Sequence, residues 1–338
     1  MKRALFIVCF LASMVYGLER GATSNFKYII DTGVQSIYVL QNRTGGYDLS
    51  LQLVFNFFDS QRNDKDNFGE CYDYRNMGEV IVDGQKTECT KTGKDIGCFK
   101  KDKFGNKNNQ SIVAYTNPNK KGEIINVPDQ TLFRILGEEK GMLKIETPFY
   151  GGPYYISKNQ NNYKKVENIN GAVNKFVAID PSSQAEMLFE RDPKTNKYKV
   201  VTYSFVTTGK DGSGSYETPH GAFLIAFTRG YMPFTRKAGP GDTPLSGRPD
   251  LTIGGVAKFA VRFSGGGYLH GIPVNTHFKG ETALTDTAAK IGTYKESHKC
   301  VRHFDDQVGF IVDWVNAGSK IKDGDNTIPE EPVVAIVL

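Results

Sequence analysis

The chain has 338 residues, including 36 glycines, 22 phenylalanines and 17 tyrosines, and a formal charge of +5. That length admits two or three domains, and the composition favours strands over helices. So small a charge, with no arginine-rich stripe, gives no support to nucleic acid as a partner. Beyond the first seventeen residues no apolar stretch approaches the ~20 residues of a spanning helix, so no transmembrane segment is expected.

At the start, Lys2 and Arg3 precede an apolar run from Ala4 to Val15, and Gly17 offers a small residue for cleavage. This is the pattern of a signal peptide over residues 1–17. A lipoprotein signal is excluded because Met14 follows Leu11-Ala12-Ser13 where an acylated cysteine would stand. The protein is therefore expected to be exported, to the periplasm or cell wall. Losing Lys2 and Arg3 with the leader lowers the charge from +5 to +3, which is compatible with polyanionic wall surfaces. Cys9 leaves with the leader, and Cys71, Cys89, Cys98 and Cys300 remain. Two of the first three could pair, in a combination the sequence does not fix. Cys300 stands apart, and an unpaired cysteine in an oxidising compartment points to chemistry.

Residues 18–121 read as a β-rich N-terminal domain, with alternation at Leu49, Leu51, Leu53 and Phe55 and then a polar, lysine-rich stretch; no motif there assigns a role. Residues 122–168 carry short runs (Ile124-Ile125, Leu132 to Leu136, Met142 to Ile145) separated by Gly and Pro turns, as in a small barrel. This segment resembles a bacterial SH3-like module. From residue 174 to 338 the pattern is again mainly β. A hairpin, Phe176–Asp180 and Met187–Glu190, flanks Pro181 to Gln184. A strand from Tyr198 to Val206 ends at Thr207-Thr208-Gly209, and Thr218-Pro219-His220-Gly221-Ala222-Phe223 is a turn opening into an apolar strand, Phe223 to Phe227. Strands follow at Ala257–Phe263 and Tyr268–His270. Asp305 is the expected cap of a helix whose apolar face carries Val308, Ile311, Val312 and Val315 and which stops near Gly318; Val333–Val337 is a closing strand.

Two segments carry the chemistry: His270-Gly271 and Ser297-His298-Lys299-Cys300-Val301-Arg302. With the Asp180/Gln184 hairpin, the Thr218-Pro219-x-Gly221-x-Phe223 turn, the Asp313-Trp314-Val315 helix and the strand after Pro332, they resemble, in order, the catalytic domain of L,D-transpeptidases (YkuD type). The resemblance implies a β-sandwich catalytic domain with a short helix after the cysteine loop. It implies Cys300 as nucleophile, His270 as base, and a peptidoglycan tetrapeptide stem as donor. In that scheme Cys300 attacks the third-residue carbonyl, D-alanine leaves, and an amine resolves the thioester into a 3-3 cross-link. Water as acceptor would give an L,D-carboxypeptidase, and a lipoprotein lysine an anchoring enzyme. No cofactor or metal is implied.

A thiol with an ordinary pKa near 8.5 needs a base or positive potential to attack an amide. His270, with its second ring nitrogen on a backbone carbonyl, fits that need. Backbone N–H groups of Lys299, Cys300 and Gly271 are candidates for holding the oxyanion. Arg302 can fork onto a carboxylate, of the substrate or of a neighbouring acid. Ser297, His298, Thr218, Gly221 and Phe223 are placed in substrate binding or in shaping the loop.

This sequence departs from the family pattern twice. Lys299 stands where a glycine is usual, so a backbone conformation natural to glycine would be strained. The 26 residues between His270 and Ser297 exceed the usual gap, which points to an enlarged lid over 273–296 and leaves His277 as a second candidate base. Three rival classes are a catalytically inactive wall-binding protein, a zinc hydrolase using His298, Cys300 and His303, and a secreted thiol protease. Zinc leaves the Thr218-Pro219 turn and Arg302 unexplained, and the protease lacks a papain-type cysteine context.

Overall fold

A computed structural model describes residues 101–338 except 108–110, 148, 159–162, 166–173, 192–193, 195–197, 213–214, 276–287 and 289, together with two strand segments further upstream. The leader pattern at 1–17, Cys71, Cys89, Cys98, His277 and nearly all of the expected domain before residue 101 lie outside the described residues.

In chain order the strands are β1 (Lys27–Tyr28), β2 (Glu79–Ile81), β3 (Ser111–Tyr115), β4 (Ile124–Pro128), β5 (Leu132–Glu139), β6 (Met142–Thr147), β7 (Gly151–Ser157) and β8 (Tyr163–Lys165). Then come β9 (Lys175–Asp180), β10 (Ala185–Arg191), β11 (Tyr198–Phe205), β12 (Gly221–Leu224), β13 (Phe227–Lys237), β14 (Leu251–Ser264), β15 (Gly267–His270) and β16 (Val274–Asn275). The chain closes with β17 (Val301–Arg302), helix α1 (Asp305–Asn316), β18 (Lys322–Asp323), β19 (Asn326–Thr327) and β20 (Val333–Val337). They make three sheets, ordered β1-β11-β10-β9-β20-β12, β17-β15-β14-β13-β19-β18 with β16 on β14, and β4-β3-β7-β6-β5-β2-β8. The mainly β expectation holds.

The first two sheets and α1 share one core. Alternate residues supply it, as period-2 strands require: Val177 and Ile179 on β9, Val333, Ala335 and Val337 on β20, and Val261 and Phe263 on β14. Ile311, Val312 and Val315 add the helix face at three- and four-residue spacing. Burying each such side chain stabilises by about 1.5–3 kcal/mol. The closing strand runs parallel to β9, from Val333↔Lys175 to Val337↔Ile179.

Two expectations are corrected, and one strand was not anticipated. The strand expected over Phe223–Phe227 is divided: Ile225 N–H donates to Val333 O at 2.9 Å and Ala226 N–H to Arg262 O at 2.8 Å, so the chain crosses from one sheet to the other there. Beyond that crossing β13 forms a long hairpin with β14, a strand the sequence pattern did not reveal. Asp305 does not cap α1; Phe304 holds the cap position without a side-chain bond, while Asp305 Oδ1 accepts Ile272 N–H at 3.1 Å. Asp305 and Asp306 still place negative charge in the helix's first turn, where the dipole favours it.

The third sheet begins at β3, which pairs with β4 from Ser111↔Pro128 to Tyr115↔Ile124, so a boundary at residue 122 cuts a hairpin. Its own core gathers Ile112, Ile125, Val127, Phe133, Ile145 and Tyr154. The β4–β5 turn meets the half of the chain that carries Cys300. Gln130 O accepts Leu224 N–H at 2.9 Å, Thr131 bridges to Phe223, and buried Asp129 pairs with Arg262 at 2.6 Å.

Candidate active site

The cysteine loop is held between two strand ends. Thr207 and Arg302 exchange backbone hydrogen bonds at 3.0 and 2.8 Å, and β15 runs parallel to β17 with His270 opposite Arg302. Gly209 lies so close beneath the loop that a Cβ there would come within 2.4 Å of Tyr216 O and 2.7 Å of Lys299 N. Only glycine fits.

Lys299 has φ +74°, the left-handed region expected to be costly for a residue in a glycine position, by about 1–3 kcal/mol. Surrounding bonds offset that cost. Lys299 N–H donates to Tyr216 O at 2.8 Å, and Thr218 Oγ1 donates to Lys299 O at 3.0 Å. The same hydroxyl accepts Gly209 N–H at 2.8 Å, and Lys299 Nζ donates to Gly265 O.

On its other side the loop faces a cleft of about 540 Å³ whose walls include Phe234, His270, Ser297, His298, Cys300 and Arg302. The Cys300 thiol rests 3.5 Å from Gly266 O. Burial pushes that thiol up to about 11, against the opposing pull of a Tyr268 backbone bond, Arg302 and Lys299. His270 Nδ1 lies 2.7 Å from Gly271 O. A carbonyl only accepts, so Nδ1 carries the proton and Nε2 the lone pair. Nε2 is buried with no hydrogen-bond partner among the described residues. Burial first, then the Arg302 and His303 charges, holds the imidazole down to about 3, against the Gly271 bond that raises it. The resting pair is thus neutral thiol and neutral imidazole. The Phe234 ring packs edge-on against His270 with centroids 5.3 Å apart.

Residues 174–322 match the family model of the YkuD, L,D-transpeptidase catalytic domain. That segment is a YkuD domain.

The folded unit runs past the matched residues, because β20 sits inside the first sheet. No curated protein matches the chain. Among solved structures, an L,D-transpeptidase from Mycobacterium smegmatis is similar at 16% identity and TM-score 0.32, over 61% of this chain and 82% of that one. L,D-transpeptidase 1 from Mycobacterium tuberculosis is similar at 15% identity and TM-score 0.28, over 55% of this chain and 68% of that one. A fused Zn-dependent amidase/peptidase/peptidoglycan-binding domain-containing protein from Clostridium acetobutylicum ATCC 824 is similar at 13% identity and TM-score 0.29. The match spans 52% of this chain and about half, 55%, of that protein.

Within the YkuD domain, Cys300, His270, Arg302, His298 and Ser297 all line the one cleft. His298 is exposed there, whereas Ser297 is buried and its N–H donates to Thr208 O at 3.0 Å. Arg302 Nε is buried and unpaired, and no carboxylate among the described residues lies within ion-pair distance of this guanidinium.

Thr218, Gly221 and Phe223 do not line the cleft. Thr218 clamps the loop from behind, and Phe223 is a core side chain packed on Phe263. Gly221 leaves room for Tyr150, whose hydroxyl a Cβ would approach to 2.7 Å. Their part is scaffolding. Two of the three expected oxyanion donors are also committed elsewhere: Lys299 N–H to Tyr216 O at 2.8 Å and Gly271 N–H to Lys258 O at 2.9 Å. Of the three, the Cys300 N–H alone has no acceptor among the described residues.

One cluster was not anticipated. His303 Nε2 meets Glu186 Oε2 at 2.8 Å, its Nδ1 meets Val301 O at 3.0 Å, and Gln307 Nε2 donates to Glu186 Oε1 at 3.1 Å. Both ring nitrogens are committed, which removes His303 from the ligand set considered with His298 and Cys300. Its N–H also donates to His270 O at 2.9 Å, bracing the strand that carries His270. The available signal was Glu186, an acid in the apolar run Ala185 to Phe189; buried acids are rare unless paired.

Proposed function

We propose that the protein is an exported peptidoglycan L,D-transpeptidase with Cys300 as nucleophile. Cys300 and a His270 Nε2 without a partner among the described residues, both on the walls of one cleft, carry this reading. With the thiol near 11 and the imidazole near 3, a preformed thiolate–imidazolium pair is disfavoured, so deprotonation is coupled to attack. His270 Nε2 takes the thiol proton as Sγ bonds to the third-residue carbonyl carbon of a tetrapeptide stem. The carbon–nitrogen bond to D-alanine then breaks, the imidazolium returns the proton to the leaving amine, and a thioester remains. An acceptor amine attacks that carbonyl, gives a proton to His270, and Cys300 leaves as the thiol.

Cys300 N–H is the donor for the oxyanion. Arg302, with no acid partner among the described residues, is the receptor for a substrate carboxylate. The leader pattern at residues 1–17 supports export, and the wall as the place of action. Stem amine, water and a lipoprotein lysine all resolve the same thioester, giving cross-linking, carboxypeptidase and anchoring activities respectively.

The test is incubation with tetrapeptide-rich peptidoglycan followed by mass analysis. D-alanine should be released, and a 3-3 dimer, a tripeptide or a protein-linked tripeptide identifies the acceptor. Cys300→Ala should abolish release with the fold intact; binding without release by the unmodified protein would instead mark an inactive wall-binding protein.

A further inference from the structure

We propose that His303, held as an imidazolium by Glu186, is a positioning residue that sets His270 and Cys300 against each other. Its catalytic meaning rests on the acyl-transfer reading.

His303 is bonded on both sides of the reacting pair. Its backbone N–H donates to His270 O at 2.9 Å, and its ring Nδ1 meets the carbonyl oxygen of Val301, the residue after Cys300, at 3.0 Å. The parallel pairing of β15 with β17 sets Leu269 opposite Val301 and His270 opposite Arg302, but β17 ends at Arg302 and the chain turns into α1 at Asp305. Past that end the two strands have no ladder to hold their register. One residue, joined by its backbone to the base and by its ring to the neighbour of the thiol, holds it instead.

The acceptors fix the protons on the ring. A carbonyl only accepts, so Nδ1 carries a hydrogen. Nε2 faces Glu186 Oε2 at 2.8 Å, and Gln307 Nε2 donates to Glu186 Oε1 at 3.1 Å, the arrangement of an ionised carboxylate that accepts at both oxygens. The ring therefore carries both protons, with Glu186 as its counter-ion. Both side chains are enclosed at 0% exposure, and a buried charge persists only when paired. Glu186 belongs to β10, Gln307 to α1, and His303 follows β17. One ion pair thus ties the first sheet and the helix to the turn that follows the nucleophile. A neutral ring would have a single N–H for its two acceptors, so without the carboxylate one of the two bonds is lost.

Two readouts need no substrate. In the full chain with 15N-labelled histidines, the His303 ring, assigned through its backbone, should show two protonated nitrogens at pH 7 and only one in Glu186→Gln. The second is iodoacetamide alkylation of Cys300 at pH 8, followed by peptide mass; the thiol, pushed up to about 11, then needs His270 to take its proton. Glu186→Gln should slow it about tenfold, as a base displaced by a fraction of an ångström would. In a His270→Asn background the same substitution should change nothing, because a residue that acts by placing the base has no effect once the base is gone. Should Glu186→Gln not fold, Glu186→Leu/His303→Leu replaces the pair by apolar side chains, a change that buried pairs tolerate, and the same slowing is expected. In the D-alanine assay both variants should lower kcat and spare KM. A singly protonated His303 ring in the unmodified protein, an unchanged alkylation rate, or equal slowing in the His270→Asn background overturns the proposal. The expected ring signature and slowing in a protein that releases no D-alanine keep the positioning role and reject the acyl-transfer reading.

Discussion

The two faces of the cysteine loop are built on opposite terms. Behind it, Lys299, Thr218, Gly209 and Tyr216 have backbone and side-chain groups bonded to one another at 2.8 to 3.0 Å. In front, His270 Nε2 and Arg302 Nε have no partner among the described residues, and the thiol has a long contact at 3.5 Å to Gly266 O besides a Tyr268 backbone bond. Leaving buried polar groups unpaired costs about 1–3 kcal/mol each. A fold that bonds these groups on one face and, among the described residues, leaves others open on the other face keeps the open groups available to something that enters the cleft. The well-bonded face is what keeps a strained residue next to Cys300.

Substitutions on the two faces should therefore separate activity from stability. The largest effect is expected at His270: His270→Asn should lower kcat by about 10²–10⁴-fold, the range for loss of a general base, with thermal unfolding little changed. Next, Arg302→Ala should raise KM by about tenfold, as loss of a charge-assisted bond worth about 1.5–3 kcal/mol requires. Thr218→Val should do the reverse, lowering stability by about 1–3 kcal/mol because Gly209 N–H and Lys299 O lose their partner, with KM unchanged. A KM effect at Thr218, or a purely thermal effect at Arg302, would break the contrast between the faces.

A further contrast is in pH dependence. The folded-state pKa of His270 is depressed to about 3 from an ordinary 6.5, so its neutral burial stabilises above pH 6.5 and that contribution is lost as pH falls toward 3. The slope is at most about 1.4 kcal/mol per pH unit from this group. Denaturant unfolding from pH 7 to 4 should show it, and His270→Asn should flatten it.

What could be read in the sequence was local. Cys300, His270 and Arg302 announce themselves by residue type and short spacing, and α1 and β20 by the period of their apolar residues. The glycine-like backbone at Lys299 could also be anticipated, since one substituted position carries the signal. The remainder depends on contacts between distant residues. Thr218 lies in a turn whose direction is fixed by Lys299, 81 residues later. Asp129 and Arg262 are 133 residues apart, and Glu186 and His303 are 117 apart. β13 escaped notice because its outward, partly exposed pattern lacks strict alternation and includes Gly230 and Pro233, which argue against a strand. Asp305 looked like a cap by position, but its carboxylate is taken by Ile272 N–H across the Gly271 turn.

The central claim is that Cys300 carries the acyl group. Intact-protein mass spectrometry after brief incubation with a purified tetrapeptide stem, quenched in acid, tests it most directly. The account predicts an adduct of the stem less D-alanine, mapped to Cys300 and matched by one D-alanine released per adduct. Release of D-alanine with Cys300 unmodified, or undiminished release by Cys300→Ala, would contradict it.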